Sequence, residues 1–251
     1  MYRNFGIKEE RLVFFGDVLG FKDMIIESEQ QRINSMLTAN INDFLGAVKF
    51  YLETYHQNIK VTIISDSIII SASECYADEF FEVVAHIYCD YYGLDFILRG
   101  AITYGKIYHE ENIFGSGYIE AYRLESKKAK KPRIIVDEKA LHYVKTNYLI
   151  NEKDYRCFDA FRYYLDNNCG GDISVIANCW LKTIERYIGM AHSKVEETKS
   201  HKRKMLSGLK WLLKILKSVV KQINFDKFNK YSKEIINSKI IELRKKCEIE
   251  E

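Results

Sequence analysis

The stretch Leu12-Val13-Phe14-Phe15-Gly16-Asp17-Val18-Leu19-Gly20-Phe21 decides the fold. Its unbroken apolar run, rich in aromatic and β-branched residues, reads as a strand over 11–18 buried on both faces. One carboxylate, Asp17, sits inside it, and Gly20 ends it. A second run of the same kind, Lys60-Val61-Thr62-Ile63-Ile64-Ser65-Asp66-Ser67-Ile68-Ile69-Ile70, carries Asp66. A bare carboxylate is costly to desolvate unless a cation or hydrogen-bond donors accompany it. Two of them in such runs are therefore expected at neighbouring strand ends, holding divalent metal between them.

Working outward, Gly20 opens a helix expected from Phe21 to about Tyr55, in two pieces. Residues 59–64 and 67–73 read as strands joined by a two-residue turn, Ser65-Asp66, which puts Asp66 at a hairpin tip. The spacing of Phe80, Val83, Val84, Ile87 and Tyr91 predicts a helix over 77–92. A long strand follows from Asp95 to Tyr108, and Gly115-Ser116-Gly117 opens a helix ending near Lys128. Pro132-Arg133-Ile134-Ile135-Val136 reads as a strand, and Asp137 as the cap of a helix over 138–145. The order β-α-β-β-α-β, then α-β-α, suggests an α+β fold: a ferredoxin-like antiparallel sheet with helices on one face.

After residue 146 the character changes, and a division into residues 1–145 and a mostly helical extension, 146–251, is expected. Residues 150–168 are aromatic and polar without clear periodicity, and Asn168-Cys169-Gly170-Gly171 reads as a loop. From Ile173 the pattern is helical. Leu206, Leu209, Leu213, Leu216, Val220 and Ile223 fall on one face, with Lys210, Lys214, Lys217 and Lys221 beside it. A helix packed on its own domain or in a dimer explains that stripe, with a membrane-surface helix as the sharper alternative.

The 251 residues, 47% hydrophobic and 29% charged with a net charge of +3, suit a globular chain and give no reason to expect a nucleic-acid partner. The charged N-terminus has no apolar leader segment, and no stretch of about 18 uncharged apolar residues predicts a membrane span. The six cysteines form no CxxC pair, and none has a histidine at zinc-finger spacing, so free thiols in a reducing cytoplasm are expected. The histidines show no metal-ligand spacing, and no nucleophilic triad can be read.

Four motifs in order then point to one family. Asp17-Val18-Leu19-Gly20-Phe21 resembles the D-I-x-G-F signature of class III nucleotidyl cyclases, and Ser65-Asp66 stands where that family has Gly-Asp. Leu98-Arg99-Gly100-Ala101-Ile102-Thr103-Tyr104-Gly105 resembles its R-x-G-I-H-x-G strand. The run from Asn112 to Glu125, NIFGSGYIEAYRLE, lines up without a gap on D-I-x-G-x-x-V-N-x-A-x-R-L-E, and Pro132 to Val136 matches the strand that follows. The resemblance covers residues 11 to about 145 and is greatest to the Pycsar branch, bacterial anti-phage pyrimidine cyclases.

The resemblance implies a catalytic domain over 1–145 that converts UTP or CTP to cUMP or cCMP and pyrophosphate, with two Mg2+ or Mn2+ ions per site. It implies that Asp17 and Asp66 supply metal-binding carboxylates and Val18 a carbonyl, oxygen donors that such ions prefer. The Gly20 and Phe21 amides would face the phosphates, Arg99 would contact the triphosphate, and Arg123 would stabilise charge on the α-phosphoryl group. Because the metal residues and Arg123 of one site come from different subunits in that family, a homodimer with composite sites is implied. Thr62 and Asn112 stand where purine cyclases carry a lysine and an aspartate that read the base, which argues against ATP and GTP. Ile119 replaces the family asparagine. A degenerate cyclase fold that binds a nucleotide or a partner without turnover is the alternative, and an adenylate or guanylate cyclase comes third.

Overall fold

A computed structural model describes residues 9–22, 24–26, 42–43, 46, 48, 58–167, 173–193, 199–222 and 230–248. Most of the helix expected over 21–55 lies outside the described residues, as do Phe50, Tyr51 and Tyr55 and the loop at 168–171; residues 21–22 and 24–26 are helical. In chain order the strands and helices are β1 (Glu10–Val18), β2 (Lys60–Ile64), β3 (Ser67–Ala72), α1 (Ala77–Gly93), β4 (Leu98–Lys106), β5 (Tyr108–His109), β6 (Ile113–Phe114), α2 (Ser116–Lys128), β7 (Ile134–Val136), β8 (Leu149–Asn151), β9 (Arg156–Phe158), α3 (Ala160–Asn167), α4 (Ile173–Ser193), α5 (Lys199–Gln222) and α6 (Lys230–Lys246).

The expected α+β architecture is present. Seven strands form one sheet in the order β2-β3-β1-β4-β7-β9-β8. β1 is central, antiparallel to β3 and to β4 along its length, which is why its apolar run has no polar break before Asp17. The sheet is antiparallel throughout except for β4 with β7, which run parallel. Alternate β1 residues serve two cores. Leu12, Phe14 and Val18 pack with Phe80, Val83, Val84 and Ile87 of α1, whereas Val13 and Phe15 pack with Ala121 of α2. Helices therefore cover both faces, where the strand order had suggested one. A strand in the middle of the sheet, apolar on both sides, has to be covered twice.

Three further expectations need correcting. The segment 95–97 precedes β4 as a turn and extended chain, because the aspartate at 95 takes positive φ (64°) after the end of α1. The helix expected over 138–145 is a 3-10 helix, Glu138–Tyr143, although Asp137 does cap it by accepting from the Glu138 amide. The sheet also runs past residue 145: β8 and β9 are its last two strands, so the division expected there falls inside a continuous sheet.

The helices after β9 close one side of the molecule. Trp180 Nε1 of α4 donates to the Cys89 carbonyl at 3.2 Å and Thr183 Oγ1 to the Tyr92 carbonyl at 2.5 Å, tying α4 to the end of α1. Leu206, Leu209, Leu213, Leu216 and Val220 are all buried in the shared core, so the described part of the α5 apolar stripe is spent inside the protein; Ile223 lies outside the described residues. Among the described residues no helix is long and apolar enough to cross a membrane. The buried Arg133 stacks on the Tyr155 ring, 4.3 Å from its centroid, and lies near Trp211, whose Nε1 donates to Glu152 at 2.7 Å; this fastens α5 to the β7–β9 edge. The described cysteines are free.

Two glycines test the packing around β1. A Cβ on Gly100 would sit 2.4 Å from the Phe14 ring and 2.8 Å from the Phe15 carbonyl, whereas Gly20 has open space but a φ of +75°. Gly100→Ala should therefore cost roughly 1–3 kcal/mol by overpacking, and Gly20→Ala about 1 kcal/mol by backbone strain alone. Urea unfolding of the two variants measures both; equal losses would contradict the packing described.

Candidate active site

The β-sheet register brings Asp17 and Asp66 to one strand end, near enough for the Asp66 charge to act on the Asp17 carboxyl. Asp17 pairs with Ser67 across β1 and β3, and Asp66 is the residue before Ser67, in the β2–β3 turn. The Asp66 carbonyl accepts the Val18 amide at 3.1 Å, which locks that turn onto the end of β1. Ser65 takes positive φ (57°) to make the turn. On the other side Asp17 pairs with Arg99 of β4, whose Nη2 donates to Asp17 Oδ2 at 3.0 Å. Arg99 Nε lies 2.8 Å from Oε1 of Glu125 on α2, an ion pair whose angles are not those of a hydrogen bond. Glu125 is 2% exposed.

This is a crowded acidic site with one guanidinium to balance it. Burial pushes the Asp17 carboxyl up to about 6; the Arg99 hydrogen bond opposes the shift, and the charges of Asp66 and Glu125 add to it. Burial likewise raises Glu125. The Asp66 charge is felt by the buried Tyr91 hydroxyl of α1, so it lies close to that helix as well. Above pH 6 the Asp17 carboxylate is an under-compensated anion, and a divalent cation would relieve it. Among the described residues no three or more His, Cys, Asp or Glu side chains gather into a metal cage. Two carboxylates and the Val18 carbonyl are hard oxygen donors that suit Mg2+ or Mn2+, with the remaining positions left to water or substrate oxygens.

After Val18 the chain turns at Leu19 and Gly20. The Met24 amide donates to the Gly20 carbonyl at 3.2 Å, starting a helical turn at Phe21, whose ring lies against Phe96. A residue from the far end of the sequence holds this turn. Tyr187 of α4, fully buried, donates its hydroxyl proton to the Leu19 carbonyl at 3.0 Å and accepts from the Ile97 amide at 3.2 Å. The Leu19 amide donates to the Ile97 carbonyl at 2.8 Å.

The other expected residues lie further out. Thr62 of β2 sits with its Oγ1 3.0 Å from His109 Nε2. Asn112 is exposed in the turn between β5 and β6, its carbonyl accepting from the Glu110 amide. Arg123 of α2 donates through Nε and Nη2 to both oxygens of Glu120, at 2.8 and 2.5 Å, on an exposed part of the helix. Asp17, Val18, Asp66 and Arg99 thus lie at one strand end, whereas Thr62 touches the β5–β6 hairpin through His109 and Asn112 stands in that hairpin's exposed turn. Glu125, His109 and Tyr187 belong with these residues without having been singled out by sequence. Glu125 ends the Arg-Leu-Glu motif and so carried a signal; the contacts of His109 and Tyr187 are distant in sequence and carried none.

No protein-family model matches the chain, and no curated protein does. Among solved structures it is similar to the catalytic core of a rhodopsin-guanylyl cyclase with converted specificity, in complex with ATPalphaS, at 15% identity and a TM-score of 0.43 over 60% of this chain and 95% of that one. It is similar to the guanylyl cyclase domain of the RhoGC fusion protein from the aquatic fungus Blastocladiella emersonii, at 14% identity and 0.42 over 60% and 94%. The adenylate cyclases of Trypanosoma brucei match at 8% identity and 0.43 over 63% and 93%. Likenesses this slight do not assign an activity.

Because the folded Asp17 pKa is raised, its proton-linked stability is present at acid pH and lost as pH rises through about 6. Asp17→Asn should therefore stabilise the metal-free protein above pH 6, and the gain should fade towards pH 4; unfolding curves across that range measure it. Mn2+ should raise the melting temperature of the native protein at pH 7.5, less at pH 5, and not at all in Asp17→Asn. Tyr187→Phe leaves the Ile97 amide and Leu19 carbonyl unpaired in the interior, so it should cost roughly 1–3 kcal/mol and weaken the Mn2+ shift. A variant with native stability and an unchanged shift would remove Tyr187 from the site.

Proposed function

We propose that the chain is a pyrimidine nucleotide cyclase, converting UTP or CTP to the 3′,5′-cyclic monophosphate and pyrophosphate, and that it serves as a second-messenger source in bacterial anti-phage defence. The observation that carries this reading is the convergence of Asp17 and Asp66 at one strand end. They stand at the positions where the sequence resembles the class III metal residues, on a strand and a hairpin turn, as that chemistry needs. Residues 9–145 hold the candidate groups, and the later helices brace them.

Cyclisation is an in-line attack of the ribose 3′-hydroxyl on the α-phosphorus with loss of pyrophosphate. Bound Mg2+ or Mn2+ would lower the hydroxyl pKa and neutralise the triphosphate. Asp17, Asp66 and the Val18 carbonyl would hold the ions. The Gly20 and Phe21 amides stand at the start of a helical turn, a favourable place for phosphate oxygens. Arg99 is held between Asp17 and Glu125 and would contact the triphosphate from there.

Arg123 is the group that would stabilise negative charge on the α-phosphoryl oxygens, and it does so best across a dimer. Its helix exposes Ile119 (63%) and Tyr122 (52%) beside the bidentate Arg123–Glu120 pair. Large apolar side chains around a charged pair suit a surface that a second copy covers. Ile119 stands in place of the family asparagine, and with Arg123 bound to Glu120 it favours the second reading, a nucleotide-binding protein without turnover.

Incubation of the protein with each labelled nucleoside triphosphate and Mn2+ decides among the readings. A cyclic pyrimidine nucleotide that disappears in Asp66→Ala is expected; binding without product would favour the second reading, and cAMP or cGMP would favour a purine cyclase. Arg123→Ala should lower the rate about 10²–10³-fold with little loss of stability. Mixing inactive Asp17→Ala with inactive Arg123→Ala should restore part of the activity, since a mixed dimer rebuilds one intact site; no recovery after verified subunit exchange would exclude a shared site.

A further inference from the structure

Behind Thr62 lies a buried chain of polar side chains. His109, 4% exposed, is carried by the β5–β6 hairpin and places Nε2 3.0 Å from Thr62 Oγ1 and Nδ1 2.8 Å from Ser71 Oγ. Arg11 continues the chain, donating Nε to Ser71 Oγ at 3.2 Å and Nη2 to the Ser71 carbonyl at 3.3 Å. At the rim Lys60 pairs with Glu110, next to His109 in the hairpin. Thr62 pairs with Ile69, and Ile69 with Phe15, two residues from Asp17 on the same strand. Thr62 and Asp17 therefore point from the same face of the sheet.

Counting protons fixes the direction of the hydrogen bonds. Burial first, then the charges of Arg11 and Lys60, lower the His109 pKa to about 4, so the ring is neutral at pH 7 and carries one N–H. In one arrangement Nδ1–H donates to Ser71, whose oxygen then receives both the ring and Arg11. The Ser71 proton is left with no acceptor among the described residues, and Ser71 is fully buried. Such an orphan is costly. In the other arrangement Ser71 donates to Nδ1 and Nε2–H donates to Thr62. Every buried donor is then used. The one spare proton is on Thr62, which is only half-buried and faces the side of the sheet that carries Asp17.

We propose that His109 sets base choice through Thr62: by donating to the threonine oxygen it makes Thr62 present a proton, which selects the 4-carbonyl of uracil over the 4-amino group of cytosine. The inference rests on the cyclase reading above and adds to it the choice of UTP over CTP. Cytosine places a donor against a donor, whereas uracil accepts. His109 is a positioning residue in this scheme, and Thr62 is the group that meets the base.

The test compares kcat/KM for UTP and CTP in folded variants, with circular dichroism and melting curves as controls. The native protein should favour UTP by roughly ten- to hundredfold, and Thr62→Val, which keeps the shape and removes the proton, should bring the ratio near one. His109→Gln can still accept from Ser71 and donate to Thr62, so it should keep the UTP preference. His109→Glu accepts on both sides, with Arg11 and Lys60 close enough to balance its charge. It turns the Thr62 proton inward and should shift preference towards CTP. Nitrogen-15 NMR of His109 at pH 7 should report the neutral Nε2–H tautomer whatever the turnover. An Nδ1–H ring, a native preference for CTP, or a ratio unmoved in both Thr62→Val and His109→Glu would overturn the inference and leave the cyclase reading standing. A native protein that makes no cyclic pyrimidine would overturn the cyclase reading itself.

Discussion

Everything in this chain is arranged around holding two like charges at one strand end. Asp17 and Asp66 come together because β1 pairs with β3 in a register that leaves Asp66 in the adjoining turn, its carbonyl bonded to the Val18 amide. The apolar run of β1 makes that register costly to change, since a slip by one residue would swap Leu12 and Phe14 for Val13 and Phe15 between two different cores. The acid pair is thus fixed by the burial of its neighbours and not by any attraction of its own. Arg99 offsets part of the repulsion, but Glu125 shares it. The result is an anionic cluster held in place by the core and unbalanced above pH 6, the condition in which a divalent ion gains most from binding.

That arrangement gives the helices after the sheet a definite task. Trp180 and Thr183 fix α4 to the end of α1, and two turns later Tyr187 reaches the Leu19 carbonyl and the Ile97 amide. A turn whose Gly20 and Phe21 amides would face phosphate on the proposed reading cannot use them internally, so it needs support from outside. Tyr187 supplies that support from a distant part of the chain. Arg133, Tyr155 and Trp211 do the equivalent at the other edge, where the sheet would otherwise end in three short strands.

The central features were legible because they are local. The strand at 11–18, the hairpin with Asp66 at its tip, the helices at 77–92 and 116–128 and the buried stripe of α5 follow from apolar periodicity and turn residues within a few positions of one another. β8 and β9 were not legible: at three residues each they are too short to show an alternation, and they read as aromatic irregular chain. The second covering of β1 was missed because a two-sided apolar strand does not say which helix lies on which face. Among site residues Asp17 and Asp66 stood out as charges in apolar runs. His109 and Tyr187 did not, since a histidine or tyrosine whose partners lie 38 and 168 positions away leaves no pattern in its own neighbourhood.

The candidate residues also divide by how they are held. Asp17, Arg99 and Glu125 are enclosed by β1, β4 and α2, and Thr62 is backed by His109, Ser71 and Arg11. Arg123 is held by Glu120 of its own helix, next to Ile119, which stays exposed, and Tyr122, whose ring meets Phe15 edge-on while half of it stays exposed. An exposed ion pair on a helix adds little to stability, and an isoleucine left 63% exposed adds little to the fold that a polar residue would not. Their presence is better explained by a second surface than by the first. On the proposed cyclase reading, the groups that would hold metal lie within one chain, and Arg123 would complete the site of a second copy. Catalysis would then depend on association through α2, a step the cell can control by concentration or by a partner without altering the acidic cluster at all.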